Sequence, residues 1–189
     1  MDFVGFPKIY RVSRDCIVTE KIDGTNAQIY ITEDGQMFTG SRTRWITPTD
    51  DNMGFALWAL MNKDELMKLG PGHHYGEWWG KSIQRNYGLK EKRFSLFNTT
   101  RWSGNPERPS CCFVVPILYE GLFDTIMIEG CIKELREKGS VAAPGFMQPE
   151  GIVCFHIQGN FMLKKTLEKD EEYKGKTKGE QNEDHIRTD

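Results

Sequence analysis

Short runs of alternating apolar and polar side chains, each closed by a turn signal, recur along this chain and dictate a fold of antiparallel strands. IVTE (17–20) runs into KIDGTN (21–26), whose aspartate and glycine mark a loop, and AQIYI (27–31) alternates beyond it. Asp34-Gly35 forms the next turn and QMFTGSRT (36–43) returns from it, which predicts an antiparallel hairpin. HHYGEWWG (73–80), RFSLFN (93–98) and FVVPILY (113–119) read as further strands, Pro116 marking an edge or a bulge in the last. EGIVCFHI (150–157) and NFMLKKT (160–166) predict a second hairpin turning at Gly159-Asn160, with Val153, Phe155 and Ile157 facing the core.

Two segments carry helical spacing instead. Residues 52–69 place Ala56, Ala59 and Leu60 on one face before the stop Gly70-Pro71-Gly72. Asp124 can cap a helix that aligns Ile128, Ile132 and Leu135 and ends at Gly139. The sum is an α+β fold, antiparallel sheets with flanking helices. With 189 residues the chain suits one domain, read here as 1–167, and the polar, charged stretch 168–189 reads as a mobile tail.

A formal net charge of −2 excludes the indiscriminate polyanion binding of a strongly basic domain, so any polynucleotide must meet a local basic patch. No apolar run is long enough to span a membrane and no secretory leader opens the sequence, which points to the cytoplasm. The five cysteines follow no metal-ligand spacing and read as reduced thiols. His73 and His74, adjacent on a strand, point to opposite faces and cannot grip one metal.

Lys21, between a strand and a glycine-containing turn, is a candidate nucleophile. The role requires a neutral amine, hence burial or neighbouring cations. By itself KxDG arises by chance in roughly one chain in 25. Alternation adds Glu77, on one face with Tyr75 and Trp79, as an acceptor for a ribose hydroxyl, and Phe97 as a ring able to stack on a base. Glu150 can hold a divalent ion through water, and Arg42 offers planar donors for phosphate.

These residues come in a fixed order. KIDGTN resembles the nucleophile motif of the covalent nucleotidyltransferase superfamily, which includes DNA ligases, RNA ligases and capping guanylyltransferases. SRT (41–43), GEW (76–78), SLFN (95–98), EGIV (150–153) and LKK (163–165) resemble the motifs that follow it. The resemblance covers residues 17–166 and implies a ligase adenylation (nucleotidyltransferase, ATP-grasp-like) domain. It implies Lys21 as the catalytic residue that becomes lysyl-AMP and Glu150 as the metal-linked position. The nucleotide is expected to lie among Thr19, Glu20, Ile22, Asn26, Arg42, Glu77, Phe97, Lys164 and Lys165. ATP and Mg²⁺, or Mn²⁺ in its place, are the implied cofactors.

Asn26 after Gly24-Thr25 is similar to ATP-dependent RNA ligases of the second phage T4 type and their bacterial relatives, which implies a bacterial or phage-infected cytoplasm. The implied partners are RNA ends or a nicked RNA duplex, sealed by a monomer. No room for a further RNA-gripping domain follows Thr166, so a docking partner protein is an alternative source of grip. A GTP-using capping guanylyltransferase, a minimal ATP-dependent DNA ligase and a non-catalytic AMP-binding module remain open. Lys164 and Lys165 are adjacent where many relatives space two lysines. If the strand is regular with Phe161, Leu163 and Lys165 towards the core, Lys164 faces the pocket.

Overall fold

A computed structural model describes residues 2–168 and 170; the expected tail lies, except for Glu168 and Asp170, outside the described residues. Ten strands form two sheets. The first, in the order β10-β9-β1-β8, joins β1 (Asp15–Lys21), β8 (Ile117–Leu122), β9 (Gly151–His156) and β10 (Phe161–Thr166). The second, in the order β4-β3-β2-β5-β6-β7, joins β2 (Thr25–Ile31), β3 (Met37–Gly40), β4 (Trp45–Ile46), β5 (Gly72–Gly80), β6 (Lys92–Leu96) and β7 (Cys112–Val114). Every pairing is antiparallel except β6 with β7, so the α+β expectation holds with one parallel pair added.

The hairpins β2–β3 and β9–β10 form where the alternation and turns placed them. The segment 113–119 divides instead. Val114 ends a strand of the larger sheet, Val115 and Pro116 cross over, and Ile117 begins a strand of the smaller one. Proline has no N–H for a ladder, but the Pro116 carbonyl still accepts from Glu20 N at 3.0 Å, where the β1–β8 register shifts. The chain also changes sheet between β1 and β2, so KIDGTN bridges a seam and is not a hairpin turn.

The 52–69 helix breaks into α1 (Phe55–Met61), α2 (Lys63–Leu66) and a 3₁₀ turn (Met67–Leu69). Asp51 caps α1 through its carboxylate, accepting from Ala56 N and Leu57 N. Ala56 and Ala59 are buried as expected, with Phe55 beside them, while Leu60, about a quarter turn round the helix, is exposed. α3 (Thr99–Trp102) is short. In α4 (Thr125–Lys138) Asp124 Oδ1 accepts from Ile126 N at 2.7 Å, Ile132 and Leu135 are buried, and Gly139 stops the helix.

α1 and α2 cover the larger sheet over Ile29, Ile31, Trp78, Phe94 and Leu96. α4 covers the smaller sheet over Cys16, Val18, Ile152 and Cys154. In β9 the buried residues are therefore Ile152, Cys154 and His156, the opposite face from the one expected. Both faces are apolar enough for alternation alone to be ambiguous, and α4 fixes the side. Phe161 and Leu163 are likewise largely exposed and not core. A third cluster, Ile22, Trp79, Tyr87, Val115 and Ala143, fills the seam where the chain crosses.

Candidate active site

Lys21 is the last residue of β1 and stands at that seam. Its Nζ lies 2.6 Å from Glu150 Oε2, both side chains being mostly buried. The contact is built by register: Lys21 pairs with Gly151, so the residue before β9 reaches the end of β1. A Cβ on Gly151 would come within 2.1 Å of the Lys165 carbonyl, so only glycine lets β9 and β10 close there.

Gly24 is required for a similar reason. A Cβ there would meet the Trp78 carbonyl at 2.5 Å and Trp79 Cβ at 2.7 Å. Its absence lets the loop press on β5, where Gly24 N donates to Glu77 Oε1 at 3.0 Å. Asn26 Nδ2 approaches the other carboxylate oxygen at 3.5 Å. Glu77 is 8% exposed, and burial pushes its carboxyl up to about 7. Lys21 and the Gly24 N–H pull it down, while Glu150 and Asp23 add to the rise. Lys21, Glu77, Glu150 and Asn26 thus form one cluster.

Thr19 and Lys21 share a face of β1, opposite Cys16 and Val18, which pack under α4. Val153 pairs with both Thr19 and Lys164, so regular alternation puts Lys164 on the Lys21 face. Lys165 lies on the reverse face, and its Nζ contacts Glu129 of α4. The structure does not bring Lys165 into the cluster.

Glu20 does not join it by its side chain either. Turned under α4, its carboxylate accepts from Ser140 Oγ at 2.6 Å, Val141 N at 2.8 Å and Ala142 N at 2.9 Å. Burial raises this carboxyl and the three donors oppose the rise. The expected place beside the nucleotide is open to Glu20 through its backbone alone. The Ile22 side chain is buried in the seam cluster and is restricted in the same way.

Arg42 occupies the exposed turn closed by Ser41 N donating to the Arg44 carbonyl at 2.8 Å. Phe97 follows the end of β6, its N donating to the Tyr75 carbonyl, and its ring is 41% exposed. Ser95, two residues before it, is buried and accepts from Trp79 Nε1 at 2.9 Å.

The side chains missed from sequence are in the loop after β5. Tyr87 Oη accepts from Asp23 N at 2.8 Å, and Arg85 Nε donates to Asp23 Oδ2 at 3.0 Å. Arg85 also donates to the Gln148 carbonyl, tying the nucleophile loop to the segment before Glu150. Ser82, Gln84, Asn86 and Tyr87 all have φ between 44° and 61°. Left-handed backbone costs such residues about 1 kcal/mol or more each, and it persists here because Tyr87 is wedged against Trp79 and Phe146. The one local signal was Asn86-Tyr87-Gly88, turn chemistry within the polar stretch that joins β5 to β6.

Residues 14–168 match the RNA ligase family. The chain belongs to that family. No curated protein sequence matches it. Among solved structures, an RNA ligase variant from Naegleria gruberi in its apo form is 22% identical with a TM-score of 0.62, over 81% of this chain and 49% of that one. Another variant of that ligase, with ATP and Mn, is 24% identical with a TM-score of 0.61, over 85% and 53%. At such identity the likeness is one of fold. The chain spans about half the length of those ligases. No helix among the described residues of this RNA ligase family member is long and apolar enough to cross a membrane.

Proposed function

We propose that this chain is an ATP-dependent RNA ligase acting through lysyl-AMP on Lys21. The observation that carries the reading is the Lys21–Glu150 contact of 2.6 Å, next to Glu77, in a site built from both sheets. The ATP and manganese named for the Naegleria gruberi ligase agree with it.

An ammonium has no lone pair. Attack therefore requires that Lys21 first pass its proton to Glu150, 2.6 Å away, or to water. Lys21 Nζ then forms a bond to the α-phosphorus, the bond to the bridging oxygen breaks, and pyrophosphate leaves. Glu77 and Asn26 are set to receive the ribose, Phe97 to stack on the base, and Lys164 and Arg42 to face phosphates. Thr19, with the Glu20 and Ile22 backbone, lines the entry. Transfer of AMP to an RNA 5′-phosphate and its displacement by a 3′-hydroxyl would complete sealing.

Among the described residues no three His, Cys, Asp or Glu side chains converge, so magnesium or manganese would be held by Glu150 with phosphate and water completing its shell. Such an ion supplies neutralisation of charge on the phosphates.

The test is incubation with labelled ATP or GTP, denaturing electrophoresis and peptide mass spectrometry. AMP is expected on the Lys21 peptide and nothing on Lys21→Ala. Label retained by that variant removes the assignment, and a GMP adduct replaces the ligase with a capping enzyme. Sealing of a nick with a ribonucleotide 3′-hydroxyl should exceed sealing of all-DNA.

A further inference from the structure

The uncovered face of the larger sheet carries a cluster of rings that the adenylation chemistry does not use. Tyr30, Phe38, Trp45, His73 and Tyr75 lie together across β2, β3, β4 and β5. Tyr30 pairs with Phe38 on one side and with His73 on the other, so the rings are held side by side by register. Tyr30 and His73 stack at 4.3 Å with planes 20° apart, and His73 and Tyr75 are within 7° of parallel at 5.8 Å. Trp45 lies 6.1 Å from Phe38 and 6.4 Å from His73. Despite this packing, Phe38, Trp45 and Tyr75 keep 43%, 52% and 54% of their surface in water.

Soluble proteins rarely leave so many rings together without use. We propose that this face is a stacking platform for unpaired bases of the RNA strand brought to Lys21. The occupant is chosen on three grounds, the last of which rests on the ligase reading above.

The first is shape. Phe38 and Trp45, tilted 55° to each other, and Tyr75 stand exposed along the sheet, and exposed rings are what sequence-tolerant single-strand binding uses to stack bases. The second is charge. The turn between β3 and β4 sets Arg42 and Arg44 beside Trp45; Arg44 pairs with Asp50 at 2.5 Å, whereas Arg42 forms no ion pair among the described residues. Cations flanking rings suit a phosphate backbone whose bases turn inward. In a chain of net charge −2, this is the kind of local basic patch a polynucleotide would need.

The third ground is continuity with the site. Asn26, Gln28 and Tyr30 alternate on one face of β2, as Glu77, Tyr75 and His73 do on β5. From Asn26 to Tyr30 is about 13 Å along the strand, so a strand end held near Lys21 would run directly onto the rings. Gln28 joins the two regions, its side chain meeting His73 Nδ1 at 3.2 Å.

The experiment titrates the full chain into a fluorescent, 5′-phosphorylated, single-stranded RNA of about twelve nucleotides and reads anisotropy. Wild type, Phe38→Ala/Trp45→Ala and Trp45→Phe are compared, with lysyl-AMP formation, thermal unfolding and size-exclusion elution measured on the same samples. The double variant is expected to bind RNA at least about tenfold more weakly, while Trp45→Phe keeps most of the affinity. Both should form lysyl-AMP at the wild-type rate. Unchanged RNA affinity in the double variant overturns the proposal. A wild-type dimer that the double variant converts to monomer also overturns it, assigning the face to a second copy. If wild type forms no lysyl-AMP but the RNA affinities follow the expected order, the ligase reading fails and the platform stands.

Discussion

The core behind the six-stranded sheet has interlocking rings among its aliphatic chains, whereas the buried centre behind the four-stranded sheet has only thiols and aliphatic chains. Phe55, Trp58, Trp78 and Phe94 interlock with centroids 5.0–5.8 Å apart. Cys16, Val18, Cys131, Ile132, Ile152 and Cys154 fill the other. The proposed recognition groups Glu77, Asn26 and Phe97 lie on or just beyond strands of the six-stranded sheet, and Lys21, Lys164 and the approach to Glu150 on the four-stranded sheet. A wall that reads shape gains from many ring contacts that fix it. A wall whose lysine, on the proposed mechanism, leaves Glu150 for phosphorus tolerates smaller side chains.

Truncation within each core tests that contrast most severely. Trp78→Ala removes a buried ring and its Nε1 hydrogen bond to the Met53 carbonyl, and should cost about 3–5 kcal/mol in denaturant unfolding. Cys131→Ala should cost about 1 kcal/mol. Equal losses would mean that the two cores are equally tight.

The next comparison stays within the four-stranded sheet. Lys164→Ala should slow lysyl-AMP formation about 100-fold, as loss of a charged contact to the reacting phosphates can. Lys165→Ala, which gives up a surface pair with Glu129, should slow it less than about threefold. A reversed order would reveal a strand whose alternation changes when nucleotide is bound.

The mildest effect concerns the charge buried on the ring-built side. Glu77, near 7 when folded, titrates near 4.3 in an unfolded chain. Between those values the folded protein holds a proton that the unfolded chain has lost. Stability therefore falls as pH rises through this window, and the full deficit is present above it. Glu77→Gln should raise stability at pH 8 by up to about 2 kcal/mol and change it little at pH 4.5. A difference that does not vary with pH would show a carboxyl with no displacement.

How far the sequence carried depended on how local each cause was. The hairpin at Asp34-Gly35 and the Asp124 cap are set by neighbours in the chain, and both formed as read. The split at Pro116 was not legible, because sheet membership is decided by distant partners. The β9 phase failed because Val153, Phe155 and Ile157 are as apolar as Ile152, Cys154 and His156, and α4 decides between them. At the site, motif order pointed to Lys21, Glu77 and Glu150, which the fold brings together. Arg85 and Tyr87 gave no comparable signal, since they meet Asp23 across 62 and 64 residues of sequence.

The path of the chain through the two sheets governs when the nucleophile can be assembled. Strands β2 to β7 are contiguous, residues 25–114, so the larger sheet can form from one uninterrupted stretch. β1 finds its partners only in β8 and β9, more than ninety residues later. Closing so long a loop is slow, and on a growing chain the partners do not yet exist. The strand that carries Lys21 must therefore wait while the adjoining half takes shape, and the lysine gains its setting only once β8 and β9 have been made. The pair between Lys21 and Glu150 cannot form before residue 150 has been made.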